Sequence, residues 1–130
     1  MPEKDETRTP RFPADVADEI ARARILGVRS GTEHKYTGVW VVVVEGRVFA
    51  RSWNDKPTGW LRAFRAQPRG SLSFGNQEVE ARAVPVRSKG LQEVVSAAFG
   101  MKYSTKGSQK WVEGFAQPER AANTVEFVPA

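Results

Sequence analysis

The stretch from Arg47 to Val86, RVFARSWNDKPTGWLRAFRAQPRGSLSFGNQEVEARAVPV, decides the fold. Arg47 to Trp53 is β-branched and aromatic, which predicts a strand. Asn54 to Gly59 is polar with a proline and predicts a loop. Gly59 to Gln67 sets Trp60, Ala63 and Phe64 on one side of a short helix, which Pro68 stops and Gly70 turns. Ser71 to Phe74 and Glu78 to Val86 predict two more strands joined at Gly75-Asn76. The second of them alternates, with Val79, Ala81 and Ala83 inward and Glu78, Glu80 and Arg82 outward. Pro85 near its end implies an edge or a bulge.

Outward from this stretch the pattern continues. Gly38 to Glu45 is apolar on both faces and predicts a strand covered on both sides, with Glu45-Gly46 turning it into its antiparallel partner. Ile25 to Arg29 predicts a first strand, Ser30 to Gly38 a turn or long hairpin end, and Thr124 to Val128 a last strand. Val16, Ile20 and Ala23 form one helical stripe; Leu91, Val94, Val95 and Ala98 form another. Met101 to Gly114, basic and glycine-bearing, reads as irregular. The expectation is an α+β fold: a six-stranded, mostly antiparallel β-barrel with three flanking helices, since consecutive hairpin-linked strands tend to close. Residues 1–10 read as a flexible lead-in and residues 11–130 as a single domain.

The bulk properties bound the function. The 130 residues are 40% hydrophobic and 27% charged, a globular balance. A net charge of +5 draws anions: phosphates, acidic cofactors, nucleic acid or anionic lipid. With no cysteine, disulfides, thiol catalysis and iron–sulfur ligation are excluded, and the cytoplasm is the expected compartment. The longest apolar run, Val39 to Val44, is too short to span a bilayer, so no membrane role is expected. The first residues, MPEKDETRTPRFP, lack the apolar core of a secretory signal.

Arg51 shares a strand face with Phe49 and Trp53, and an arginine in that company needs an anion. One reading is a ligand phosphate held by Arg51 with Ser52 as a hydroxyl donor. The alternative is a pair with one of the chain's own acids, or stacking on Trp53. Arg62, Arg65 and Arg69 recur at about one helical turn and face either an anionic ligand tail or solvent. The aromatics Trp40, Trp53, Trp60, Phe64 and Trp111 could stack a flat ring; Trp40 and Phe64 read as core, and Trp53 and Trp60, which flank the polar loop, are the better pocket candidates. His34 is the only histidine, and neither a catalytic set nor a metal site can be assembled with any specificity. Gly100 to Gly107, GMKYSTKG, lacks the spacing of a phosphate-binding loop.

From Trp60 to Val86, a Trp-led helix, "A-x-P-R-G" and an "E-A-x-A-V-P-V" strand resemble the flavin- and deazaflavin-binding split β-barrel superfamily, the fold of pyridoxamine-phosphate oxidase and of the deazaflavin-dependent nitroreductases. The whole chain resembles a short bacterial branch of that superfamily of uncharacterised function. The matching segments are Trp40–Gly46, Arg51-Ser52, Gly59–Ala63, Lys102-Tyr103 and Asn123–Pro129. The asparagine usual after the helix tryptophan in the nitroreductases is absent from Leu61-Arg62-Ala63-Phe64. The resemblance implies a homodimer with FMN or deazaflavin at the subunit interface. Its ring would lie along Thr37, Gly38, Val39 and Trp40, and its phosphate would meet Arg51 and Ser52. Trp60 and Arg62 would close the pocket, with Lys102 and Tyr103 supplied by the second chain or the wall. The implied activity is a flavin-type oxidoreductase of unknown substrate. The rival is a non-enzymatic binding module for an anionic metabolite, haem or nucleic acid, although no nucleic-acid motif is present.

Overall fold

A computed structural model describes residues 10–130; the expected lead-in, save Pro10, lies outside the described residues. Among the described residues there are seven strands: β1 (Leu26–Ser30), β2 (Thr37–Val39), β3 (Val41–Val44), β4 (Arg47–Arg51), β5 (Arg69–Phe74), β6 (Gln77–Pro85) and β7 (Thr124–Pro129). Among the described residues there are five α-helices: α1 (Ala14–Arg22), α2 (Trp60–Ala66), α3 (Lys89–Lys102), α4 (Gln109–Phe115) and α5 (Pro118–Ala121). These counts correct the expected six strands and three helices.

All the strand pairings are antiparallel, in the spatial order β2-β1-β5-β6-β7-β4-β3. The two outermost strands are consecutive in sequence and separated only by Trp40. One stretch of chain, Thr37–Val44, therefore leaves β1 and joins β4, and the sheet curls into a nearly closed barrel. The single predicted strand over this stretch is two because its hydrogen bonds change partner at Trp40: Val39 pairs with Leu26, while Val41 pairs with Ala50.

At that switch the Val41 backbone groups take side chains as partners. Its N–H donates to the Tyr103 hydroxyl at 3.0 Å, and its carbonyl accepts from Lys102 Nζ at 2.8 Å. Lys102 also donates to the Ala23 carbonyl and Tyr103 to that of Arg24. The last turn of α3 thus ties Val41 to the chain leaving α1, satisfying backbone groups that would otherwise be buried without partners.

Two-residue turns close the hairpins. Glu45 and Gly46 both have positive φ, 52° and 78°, the pattern of a type I′ turn. Gly75 has φ 56° at the first position of the β5–β6 turn, where a side chain would be strained.

The alternation of β4 divides the core. Val48 and Ala50 enter the barrel with Leu26, Val28, Leu72, Ala81 and Phe127. Phe49 faces outward into a second cluster with Val95, Phe99, Tyr103 and Phe115 under α3 and α4. In α1, Ile20 is buried and Val16 and Ala23 pack beside it, as the stripe predicts. In α3, Leu91, Val95 and Ala98 face the core, but Val94 is 46% exposed and Phe99 takes the buried position. The expected irregular segment from Met101 to Gly114 is instead the end of α3, a 3-10 turn (Lys106–Ser108) and most of α4. α4 buries only Phe115, and its apolar pattern is too brief to stand out between Gly107 and Gly114.

Candidate functional site

A pocket of about 420 Å³ opens where the barrel splits. Thr37, Gly38, Val39 and Trp40 form one wall, Arg51 and Trp53 another, Trp60 a third, and Trp111 and Phe115 of α4 the last. All four tryptophans of the chain line it. The volume lies within the range of small-molecule sites, and the lining is mainly aromatic with a few polar groups.

Each indole has a fixed backing. Trp40 stacks on Tyr103 with centroids 4.0 Å apart and planes 3° from parallel, and meets Phe115 edge-on. Trp60 packs edge-on against Phe64 and tilted against Phe127, so one side belongs to the barrel core. Trp53 lies beneath the Arg120 guanidinium, 3.8 Å from the ring centroid, and its carbonyl accepts from Arg120 Nε. Trp111 meets Trp53 edge-on at 5.1 Å and is itself 46% exposed. Rings held this way present flat surfaces at little further entropic cost.

Arg51 is 1% exposed. Nε donates to Thr124 Oγ1 at 2.7 Å. Nη1 donates to Ser96 Oγ and the Phe115 carbonyl, and Nη2 to the Gln92 carbonyl. Every one of these acceptors is neutral. No carboxylate pairs with Arg51 among the described residues, and Trp53 is stacked by Arg120 instead, so neither structural partner expected from the sequence is the one observed. Burial without a counter-charge lowers its pKa to about 10. Glu126, two residues from Thr124 on β7, is already engaged by Arg47 at 2.8 and 3.0 Å. The second N–H of Nη2 has no acceptor among the described residues.

Of the residues expected at a site, the structure gathers Thr37, Gly38, Val39, Trp40, Arg51, Trp53 and Trp60 on this one pocket. Ser52, Arg62, Lys102 and Tyr103 do not line it. The Ser52 hydroxyl donates to the Asn54 carbonyl. Arg62 and Arg65 both reach Asp55 on the surface, while Arg69 is exposed. Lys102 and Tyr103 close the barrel at Val41 from within the same chain. Burial, helped by the nearby Arg24 cation, lowers the Lys102 pKa to about 8; burial raises that of the Tyr103 hydroxyl. Phe115 and Arg120 escape sequence reading, and Trp111 is a ring-stacking candidate there by residue type alone, because these residues sit on helices whose patterns are too short to predict. The one available signal is Gly114: a Cβ there would collide with the Trp53 ring. His34 is exposed, and no three of His, Cys, Asp or Glu converge among the described residues.

Together these features define an α+β fold built on a nearly closed antiparallel barrel, with an aromatic pocket where one strand changes partner. The chain belongs to the family described as "uncharacterized protein conserved in bacteria" (DUF2255), which matches residues 17–127. The conserved hypothetical protein Rv2991 from Mycobacterium tuberculosis has a similar structure, with a TM-score of 0.60 at 17% identity over 93% of this chain and 81% of that one. A FAD-binding protein (mll6688) from Mesorhizobium loti is similar with a TM-score of 0.53 at 16% identity, over 92% of this chain and 88% of that one. At these identities the likeness is one of fold. No curated protein matches the chain. No helix among the described residues is long and apolar enough to cross a membrane.

Proposed function

We propose that this protein binds a flavin-type cofactor, FMN or a deazaflavin, in the indole-lined pocket. The observation that carries the reading is the convergence of four indoles on a cavity walled by an arginine with no carboxylate partner. The residues present fit such a group. Indole faces suit a flat ring system, and the positive charge of Arg51, with the Thr37 hydroxyl at the exposed end of β2, suits its acidic side chain. The FAD-binding protein from Mesorhizobium loti supports the reading through a shared fold.

Once bound, such a cofactor supplies hydride or electron transfer. The chain's own residues then hold and orient it. Trp40, Trp53, Trp60 and Trp111 would hold its ring system, and Arg51 would bias the site toward anions. The absence of any acid–base set on the pocket wall is compatible with an oxidoreductase whose chemistry resides in the cofactor.

The same reading includes a homodimer. Trp111 on the pocket wall is half exposed, and Ile25, 51% exposed, packs over pocket-lining Gly38. An apolar rim of this kind suits cover by a second copy. The expected cytoplasmic setting rests on the absence of cysteine. Purification in the presence of FMN or deazaflavin tests the binding. Retention of a yellow, fluorescent ligand in a fixed ratio to protein supports it, and release of all ligand on gel filtration at micromolar protein opposes it.

A further inference from the structure

On the other side of the Arg51 network lies a second, larger cleft of about 810 Å³. Its origin is topological. β6 runs past the first residue of β5, which pairs with Arg82, so Val84 and Pro85 pair with β7 and have no β5 residue on their other side. α2 ends before Pro68, and α5 is a single turn. The space between them is left open, floored by Ala83, Val86 and Val125.

One wall is the N-terminal half of α3. Lys89, Gln92, Glu93 and Ser96 recur at helical spacing and face the cleft together. Gln92 and Ser96 are two of the four residues that accept from Arg51, so the cleft and the indole pocket are separated by that guanidinium and its partners. The cleft's charged lining is Arg65, Arg87, Lys89 and Glu93. Arg65 is engaged by Asp55. Arg87 and Lys89 make no ion pair or side-chain hydrogen bond among the described residues. The lining is thus an apolar floor, a polar helix face and an excess of cations over the single acid.

We propose that this cleft is a second binding site, for a small organic anion with an apolar body: a carboxylate or sulfonate on a hydrocarbon or aryl frame. The size is that of a small-molecule site. The anionic head meets Arg87 and Lys89, where charge-assisted bonds form at the rim. The apolar body covers the alanine, proline and valine floor. The polar face of α3 selects against a purely apolar occupant, which would strip water from Gln92 and Ser96 without replacing it.

The probe is 8-anilinonaphthalene-1-sulfonate, an aryl sulfonate whose emission rises on leaving water. Titration of the full chain is expected to give saturable binding near one per chain. The double charge reversal Arg87→Glu with Lys89→Glu is expected to weaken it about tenfold or more, the scale of one charge-assisted bond. Ala122→Trp, an exposed cleft position where a large side chain enters without displacing core, is expected to weaken it likewise. Circular dichroism melts check that both variants fold. The proposal is overturned if folded cleft variants bind the probe as wild type does, if FMN displaces the probe stoichiometrically, or if the variants change the molecular mass by light scattering. The second result places the probe in the indole pocket; the third makes the cleft a subunit contact.

Discussion

At the scale of single residues, the arginine that the sequence singles out holds the structure together as well as lining the pocket. Four neutral acceptors on β7, α3 and α4 depend on Arg51. Arg51→Ala removes the guanidinium donor from all four and is expected to cost about 3 kcal/mol or more, read as a fall in melting temperature. Arg51→Lys keeps the charge but reaches fewer acceptors, so it should recover only part of the loss; full recovery would show that charge alone matters. Lys102 yields a prediction in pH. Its folded pKa, about 8, lies below its unfolded value of about 10.5. Between these values the unfolded chain binds more protons, so this residue makes stability rise with pH above about 8. Chemical denaturation at pH 7, 8, 9 and 10 should show that rise in wild type and a smaller one in Lys102→Met. Equal slopes in the two proteins would place Lys102 in ordinary solvent contact. Gly114→Ala should displace the Trp53 ring, because no room exists for the methyl group. A shift in tryptophan emission with lower stability is the expected signature, and an unchanged spectrum would mean that α4 moves instead.

At the scale of elements, the sequence is most readable where pattern and turn chemistry agree. β6 alternates cleanly, and Gly46 and Gly75 mark two-residue hairpins, so the β3–β4 and β5–β6 ribbons are legible from residue pattern alone. α2 is bounded by Gly59 and Pro68. The split in Thr37–Val44 is not legible, because both halves alternate in the same phase. Val39 and Val41 face the barrel and Trp40 faces out, whichever strand is the partner. The change of partner is set by α3, whose Lys102 and Tyr103 bond Val41 from 61 and 62 residues away. α4 and α5 are hidden for a related reason, since 7- and 4-residue helices draw their stability from packing rather than propensity. The pocket wall formed by strands and α2 is therefore visible in the sequence, and the wall formed by α4 is not. Trp60 belongs to the visible wall but leans on Phe64 and Phe127. Trp60→Ala should weaken cofactor binding and also lower the melting temperature, with a core contribution at or below the roughly 3–5 kcal/mol typical of a fully buried aromatic. A large thermal loss with unchanged binding would make it core alone.

At the scale of the whole molecule, the basic charge, the nearly closed barrel and the half-exposed aromatic rim support the proposal of an anionic, flat ligand shared with a second copy. Light scattering at micromolar concentration is expected to give about twice the 14.5 kDa of one chain. A persistent monomer would leave the pocket uncovered and remove the interface from the account. The central claim is that the indole pocket takes a flavin and that charge contributes to the affinity. Calorimetric titration with FMN and with riboflavin, which share the ring and differ in the phosphate, tests both parts together. The account predicts saturable binding of both, with FMN tighter by about tenfold or more and its advantage shrinking as salt is raised. No heat of binding from either ligand, with tryptophan emission unquenched, would contradict it.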